Sequence, residues 1–250
     1  MIMLDQPPQI APPQLTVADC VVVVPTYNEI ENIGHLIPQI VSHPRFRVLV
    51  VDDASPDGTG AQVRELQRQG LRVDLLSRAG KMGLGSAYIA GFQQAIAEGA
   101  EYIFEMDADF SHDPRYLPRL LAAAEQGNDL VIGSRYVRGG GTTDWGIIRK
   151  IISRGGNLYA GLILGLPVAD STGGFRCYRR HVLEQINLQA VRSNGYAFQI
   201  EMTYRVLRAG FHIGEVPIIF PDRRVGQSKM SRKIVLEALL NVWRLRFGLI

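Results

Sequence analysis

Two aspartates, Asp107 and Asp109, stand two residues apart in the stretch EYIFEMDADFSHDP, residues 101–114. An apolar run, Tyr102-Ile103-Phe104, leads into four acids: Glu105, Asp107, Asp109 and Asp113. Gathering like charges costs energy unless a cation or a cationic ligand offsets it. If the run is the end of a buried strand, one or both aspartates can reach a divalent metal and, through it, a diphosphate. Mg2+ takes one or two carboxylates plus phosphate oxygens and keeps water in its remaining positions. A solvated acidic turn carries the same pattern, so a bare Asp-x-Asp is weak evidence alone.

Its company strengthens it. Pro25-Thr26-Tyr27-Asn28-Glu29 follows one β-branched run, and Asp52-Asp53 follows another. Three apolar runs thus end in polar or acidic residues. In open parallel sheets ligands bind outside the carboxyl ends of the strands, so three such ends describe a site. His35, His43, His112, His181 and His212 are scattered and read as structural or surface groups. No Ser-His-Asp or Cys-His nucleophile arrangement stands out.

The elements that would position these groups follow from periodicity. Continuous apolar runs at 20–24 and 48–51, and mostly apolar stretches at 73–76, 102–106 and 129–133, predict strands. Helical spacing predicts helices at 31–41, 60–69, 86–97 and 114–126, the last with Pro114 in its first turn. Such alternation predicts a mostly parallel sheet with helices on both faces. Beyond the link Gly139-Gly140-Gly141 the pattern is less regular. Helices are predicted at 147–164, 198–207 and 231–247, and strands at 175–178 and 212–220.

The 250 residues suit one α/β domain with a C-terminal elaboration. A net charge of +3 gives no ground for a nucleic-acid partner. Cys20 and Cys177 have no metal-type spacing and read as buried free thiols of a reducing compartment. The start, MIMLDQPPQIAPPQL, has no basic region followed by an apolar core and is not a signal peptide. No run is long enough for a spanning helix. The expectation is a cytoplasmic protein with peripheral membrane association. The boundaries expected are an irregular lead-in at 1–18, a catalytic domain at 19–230 and an amphipathic helix at 231–250.

PTYNE (25–29), DDASPDGTG (52–60), GKMGLGSAYIAGF (80–92), MDADFSHDP (106–114), GSRY (133–136), RKIISRGGN (149–157), DSTGGFRCY (170–178), YAFQIEM (196–202) and FPDRRVGQSKMS (220–231) occur in that order. Together they resemble the polyprenol-phosphate (dolichol-phosphate) mannose synthases, within the inverting family 2 glycosyltransferases of GT-A fold. The resemblance covers residues 20 to 231. It implies that Pro25, Tyr27 and Glu29 form the first nucleotide-contacting loop and that Asp53 holds the base or ribose. Lys81 and Gly83 would belong to a Gly-rich stretch near the nucleotide. Asp107 and Asp109 would bind the metal, Mg2+ or Mn2+, and the sugar nucleotide. Some relatives carry Gln where this chain has Ser111, a shorter and poorer ligand, which puts more of the metal binding on Asp109.

The resemblance also places Arg135, Arg149 and Ser153 around an acceptor phosphate. Arg149 and Ser153 are i and i+4 on one predicted helix and can face one ligand. Arginine's planar fork suits phosphate oxygens. A solvated basic face is the alternative, since Lys150 and Arg154 are also there. Arg223, with Arg224 as a near alternative, and Lys229 would contact the nucleotide diphosphate from a late loop. Gln199 and Glu201 touch the sugar or brace the site; the sequence leaves both open.

The function implied is transfer of mannose from GDP-mannose to a polyprenyl phosphate, with inversion. A lipid phosphate is already ionised, so no catalytic base is required. A UDP-glucose-dependent transferase and a non-catalytic nucleotide-sugar-binding protein are the alternatives. A polyprenol tail implies a membrane surface and leaves room for a membrane-anchoring partner protein. Leu236, Leu239, Leu240, Trp243 and Phe247 share one helical face, which suits a membrane interface or packing on the domain. The apolar stretch from Leu158 to Val168 could equally border lipid or core.

Overall fold

The computed structural model describes residues 19–222 and 232–249. Strand β1 (Cys20–Thr26) lies between β2 (Phe46–Asp52) and β4 (Tyr102–Glu105), with β3 (Val73–Ser77) outside β2. These four are parallel. They alternate with helices α1 (Ile30–Val41), α2 (Thr59–Arg68) and α3 (Leu84–Ala97). The strand period sorts β1 into two cores. Cys20, Val22 and Val24 join the layer of α1 and α2, while Val21 and Val23 join the layer of α3. Both faces are covered, which is why the run is wholly apolar. Helix α3 comes close because Gly91 has no Cβ; one placed there would lie 3.1 Å from Val51.

Two departures from the simple alternation build the site. Strand β7 (Arg176–Arg179) lies between β4 and β5 (Leu130–Ser134) and is antiparallel to both. It therefore enters the sheet from the edge where the parallel strands end, and it brings residues 170–175 there. The predicted strand 212–220 divides at Ile218. Strand β8 (Ile213–Pro217) extends the main sheet beside β5, whereas β9 (Ile219–Phe220) pairs with β6 (Gly141–Thr142). The Gly-rich link is thus held through β6 to β9. Gly140 turns it tightly: a Cβ there would sit 2.5 Å from the Ser134 carbonyl oxygen.

The predicted helix at 114–126 is a 3-10 turn, Pro114–Tyr116, followed by α4 (Leu117–Glu125). Asp113 caps that turn by accepting from the Arg115 N–H. The short helix α6 (Arg180–Gln185) has no counterpart in the periodicity. Helices α5 (Ile147–Leu164), α7 (Gly195–Arg208) and α8 (Arg232–Arg246) pack together through Ala160, Leu164, Ile200, Val242 and Leu245.

The final helix therefore does pack on the domain, yet Leu240, Trp243 and Phe247 remain exposed. The larger open apolar face lies on α5, where Ile147, Ile148 and Ile151 are 65–76% exposed and Leu158 and Leu162 are 64% and 77%. Among the described residues no helix is long and apolar enough to cross a membrane.

Candidate active site

The site begins where β1, β2 and β4 end. Four non-glycine residues among those described have positive φ, and three stand in these loops: Asn28 at 61°, Ala54 at 53° and Phe110 at 61°. Such conformations persist only when surrounding contacts enforce them, and they gather at functional sites. The contacts are visible. Asp52 accepts from Thr26 Oγ1 at 2.9 Å and from Ser55 Oγ at 2.5 Å, tying the first two loops together. Asn28 N–H donates to Ser55 Oγ, and Glu29 N–H to Thr59 Oγ1. Asp57 receives the N–H groups of Ile30 and Thr59, so its role is to join the starts of α1 and α2. Tyr27 is exposed, with the Lys81 ammonium 4.3 Å from its ring centre. Pro25 is the sixth of seven residues in β1, just beneath this loop.

Asp53 is buried in a pair with Arg78, whose Nε donates at 2.6 Å. Its second oxygen faces the N–H of Met82 at 3.4 Å. This ties the 78–86 segment to the end of β2, and no spacing rule marked Arg78 as the partner.

Asp107 and Asp109 stand on a turn held from several sides. Ser111 donates both its N–H and its Oγ, at 3.1 Å and 2.6 Å, to one oxygen of Asp109. The serine thus orients the aspartate instead of competing with it. Tyr88 of α3 donates its hydroxyl to Asp107 at 3.1 Å. His112 is buried, accepts the Asp107 N–H at Nδ1 and stacks on Phe175. It braces the turn that carries Asp107. Among the described residues no group of three His, Cys, Asp or Glu side chains could enclose a metal. Two oriented carboxylates without a third protein ligand fit Mg2+ or Mn2+ completed by phosphate and water better than a cage made wholly of protein.

Behind the turn lies a buried polar group. Glu105 is fully buried and accepts from Tyr178 Oη at 2.9 Å and from Gln199 Nε2 at 2.6 Å. Arg176, opposite it in the sheet, donates to Tyr178 Oη, to the Ser171 carbonyl and to the Gly173 carbonyl. Gln199 is 3% exposed and braces Glu105, while Glu201 pairs with Arg205. Burial pushes the Glu105 carboxyl up to about 7, against the pull of Arg176, Gln199 and Tyr178.

A carboxyl raised in the folded state favours folding fully below its unfolded value, near 4.5. That contribution fades as pH rises to about 7. We expect Glu105→Gln to remove a loss of about 3 kcal/mol across this window, at 1.36 kcal/mol per pKa unit. Urea unfolding of both proteins at a series of pH values checks it. Parallel stability curves would refute this reading of Glu105.

The third group surrounds the start of α5. Arg135 is 5% exposed, and its Nε and Nη2 hold the two oxygens of Asp170 at 2.7 and 2.6 Å. Burial works to raise Asp170, but the Arg135 hydrogen bonds and charge hold it below the ordinary carboxylate value. Nη2 of Arg135 also donates to Thr172 Oγ1 at 2.7 Å. Thus Arg135 is committed to fixing the 170–172 turn, while Arg149 and Ser153 lie nearer the surface. Asn157 fastens that turn to α5 through Ser171 and Thr172.

The Arg149 guanidinium lies 3.8 Å from the centre of the Trp145 ring and pairs with Asp222 at 2.6 Å. Arg149 Nε and Trp145 Nε1 are both buried with no hydrogen-bond partner among the described residues. Buried donors are seldom left so. Ser153 Oγ accepts from Tyr136 Oη at 2.6 Å. Helix α5 has no side-chain cap on its first turn and no acid within it. Unpaired donors, a guanidinium and a helix N-terminus together favour an anion.

Phe220 joins the acid turn to this anion-favouring group. Its ring lies 5.5 Å from His112 and 5.6 Å from Trp145, measured between centroids. The sequence motifs contain Arg176, Asp170 and Asp222, but Trp145 and Arg78 lie outside them; Arg78 meets Asp53 across 25 residues, a separation that leaves no periodic trace. Arg223, Arg224 and Lys229 lie outside the described residues.

A model described as glycosyl transferase family 2 matches residues 21–186. A polyprenol monophosphomannose synthase of Mycolicibacterium smegmatis is 46% identical over 247 residues, covering 97% of this chain and 91% of that protein. An undecaprenyl-phosphate mannosyltransferase of Micrococcus luteus is 49% identical over 223 residues, covering 89% and 91%. In structure, the chain is similar to glucosyl-3-phosphoglycerate synthase from Mycobacterium tuberculosis, solved with Mn2+, UDP-glucose and phosphoglyceric acid. The TM-score is 0.67 at 19% identity, over 91% of this chain and 79% of that one. That likeness concerns the fold.

Proposed function

The chain belongs to glycosyl transferase family 2, with the GT-A fold, and on that premise we propose that it transfers mannose from GDP-mannose to a polyprenyl phosphate with inversion. The observation that carries the reading is the anion-favouring group at Trp145 and Arg149, set across Phe220 from the acid turn. One side suits a sugar nucleotide, and the other an acceptor that is itself an anion. The name of one relative gives undecaprenyl phosphate as acceptor, and the name of the other gives a polyprenol monophosphomannose as product.

The donor lies over the loops at 25–29 and 52–59, where Tyr27, Glu29, Asp53 and Lys81 frame the nucleotide. Asp107 and Asp109 hold the divalent metal, Mg2+ or Mn2+, which when bound offsets negative charge on the diphosphate. Arg223 and Lys229, from the motif at 220–231, act on the same diphosphate. Arg149 and Ser153 hold the acceptor phosphate, with Arg135 fixing the turn beneath them. A phosphomonoester carries about −1.5 to −2 charge near neutral pH, so it attacks without prior deprotonation. Arg149 and Ser153 orient it in line with the anomeric carbon, on the face opposite the departing diphosphate. A β-linked mannosyl phosphate results from an α-linked donor. The exposed isoleucines of α5 beside Arg149, Lys150 and Arg154 suit attachment to a membrane surface. The catalytic domain spans 19–230, and the helix within 231–250 flanks it.

The test is transfer of radiolabelled mannose from GDP-mannose into solvent-extractable polyprenyl phosphate, beside a UDP-glucose reaction. Label from GDP-mannose alone, abolished by a chelator, is expected. Label from UDP-glucose alone would overturn the sugar. Tight nucleotide binding with no transfer to any acceptor would overturn the enzymatic reading.

A further inference from the structure

We propose that a cleft on the flank of α5 seats the isoprene units nearest the phosphate of the acceptor lipid. The inference rests on the acceptor reading above and adds a subsite to it. The cleft has a volume of about 410 Å3 and runs between α5 and the 166–169 segment. Its polar end is Tyr136 and Arg154, with the guanidinium 5.5 Å from the phenol ring centre. The same phenol donates to Ser153 Oγ, so this end adjoins the group assigned to the phosphate. Among the described residues no carboxylate forms an ion pair with Arg154.

Beyond that end the lining turns apolar, with Leu158, Leu162, Leu166 and Val168. From Ser153 to Leu162 the helix rises about 14 Å at 1.5 Å per residue. An occupant that matches must be anionic at one end and hydrocarbon along its length. A nucleotide or a free sugar would leave its polar groups unpaired against the leucines.

The outer lip supports a chain that continues into a bilayer. Leu158 and Leu162 line the cleft and also belong to the exposed apolar face of α5. A hydrocarbon leaving the cleft therefore passes directly onto the surface suited to membrane. Gly161, also in the lining, keeps the cleft open. A Cβ there would meet only the Leu166 carbonyl oxygen, at 3.8 Å, an ordinary contact. A larger side chain would grow into the cleft without straining the helix.

The test uses the full chain, with Gly161→Leu to fill the cleft and Gly155→Leu as control. Gly155 lies on the same helix, outside the cleft, with open space around it. Calorimetry measures binding of farnesyl phosphate, ethyl phosphate and inorganic phosphate, and kinetics give KM for farnesyl phosphate and for GDP-mannose. Thermal melts confirm that both variants are folded.

We expect farnesyl phosphate to bind wild type more tightly than either phosphate without isoprene units. Gly161→Leu should weaken farnesyl phosphate binding and raise its KM about tenfold, the scale of losing a few buried methylenes. The GDP-mannose KM should be unchanged, and Gly155→Leu should behave as wild type. Equal affinity for farnesyl and ethyl phosphate would overturn the cleft. So would a folded Gly161→Leu that binds farnesyl phosphate normally, or an equal loss in Gly155→Leu. Transfer without dependence on Gly161 would sink the cleft and leave the function standing. Gly161-dependent binding without mannose transfer would do the reverse.

Discussion

We expect Asp109→Asn to lower mannosyl transfer at least about 1,000-fold while leaving the protein folded. The size follows from what the substitution keeps and removes. The amide oxygen still accepts from Ser111 N–H and Oγ, so the turn retains its shape. The negative charge that would hold a divalent metal against the diphosphate is gone. Ser111→Ala removes only the orienting hydroxyl and should cost far less, about tenfold, which separates charge from geometry. Initial rates across a metal titration measure both. An Asp109→Asn enzyme within tenfold of wild type, with the same metal dependence, would remove Asp109 from the reaction.

The second large effect falls on stability. Asp170→Asn should cost about 3–5 kcal/mol, because it leaves the Arg135 guanidinium buried without its counter-charge. For a chain of this size that corresponds to a drop in Tm of roughly 6–20 °C. Arg135→Met alone strands the carboxylate and should cost a similar amount. Combining Arg135→Met with Asp170→Leu removes both charges and should recover much of the loss, since a buried ion pair is often no more stabilising than hydrophobic packing. Calorimetric melts of the three variants give the coupling. Single variants that melt within about 1 °C of wild type would mean the pair is dispensable. The double variant should stay slow even when stable, with the acceptor KM raised, because the 170–172 turn would have lost its anchor to β5.

Much of this architecture was legible along the chain. Val21 to Val24 read as a strand covered on both faces, because a run of four β-branched residues favours extended backbone and has no polar side to show to water. The helix 147–164 and the acids at the ends of three strands were equally plain, since period and turn chemistry are local. Where the sequence reading stopped short, the cause was contact at long range. The strand predicted at 212–220 divides because its two halves find different partners, β5 and β6. The direction of β7 follows from where α5 delivers the chain, not from Arg176-Cys177-Tyr178-Arg179 itself.

The candidate site divides along the same line. The sequence by itself determined which residue types are present to hold a metal, a diphosphate and an anionic acceptor, since charge, donor count and i,i+4 spacing belong to the chain. Tertiary structure alone decided which of them stay available. It committed Arg135 to Asp170 and Asp53 to Arg78, and it placed Gln199 under Glu105. It also left Trp145 and Arg149 with donors that find no partner among the described residues, and Ile147, Ile148 and Ile151 exposed. A buried charge must find a partner wherever the fold brings one within reach, whatever the separation in sequence. Which groups are spent on one another, and which remain for a ligand, is therefore settled only when the chain has closed.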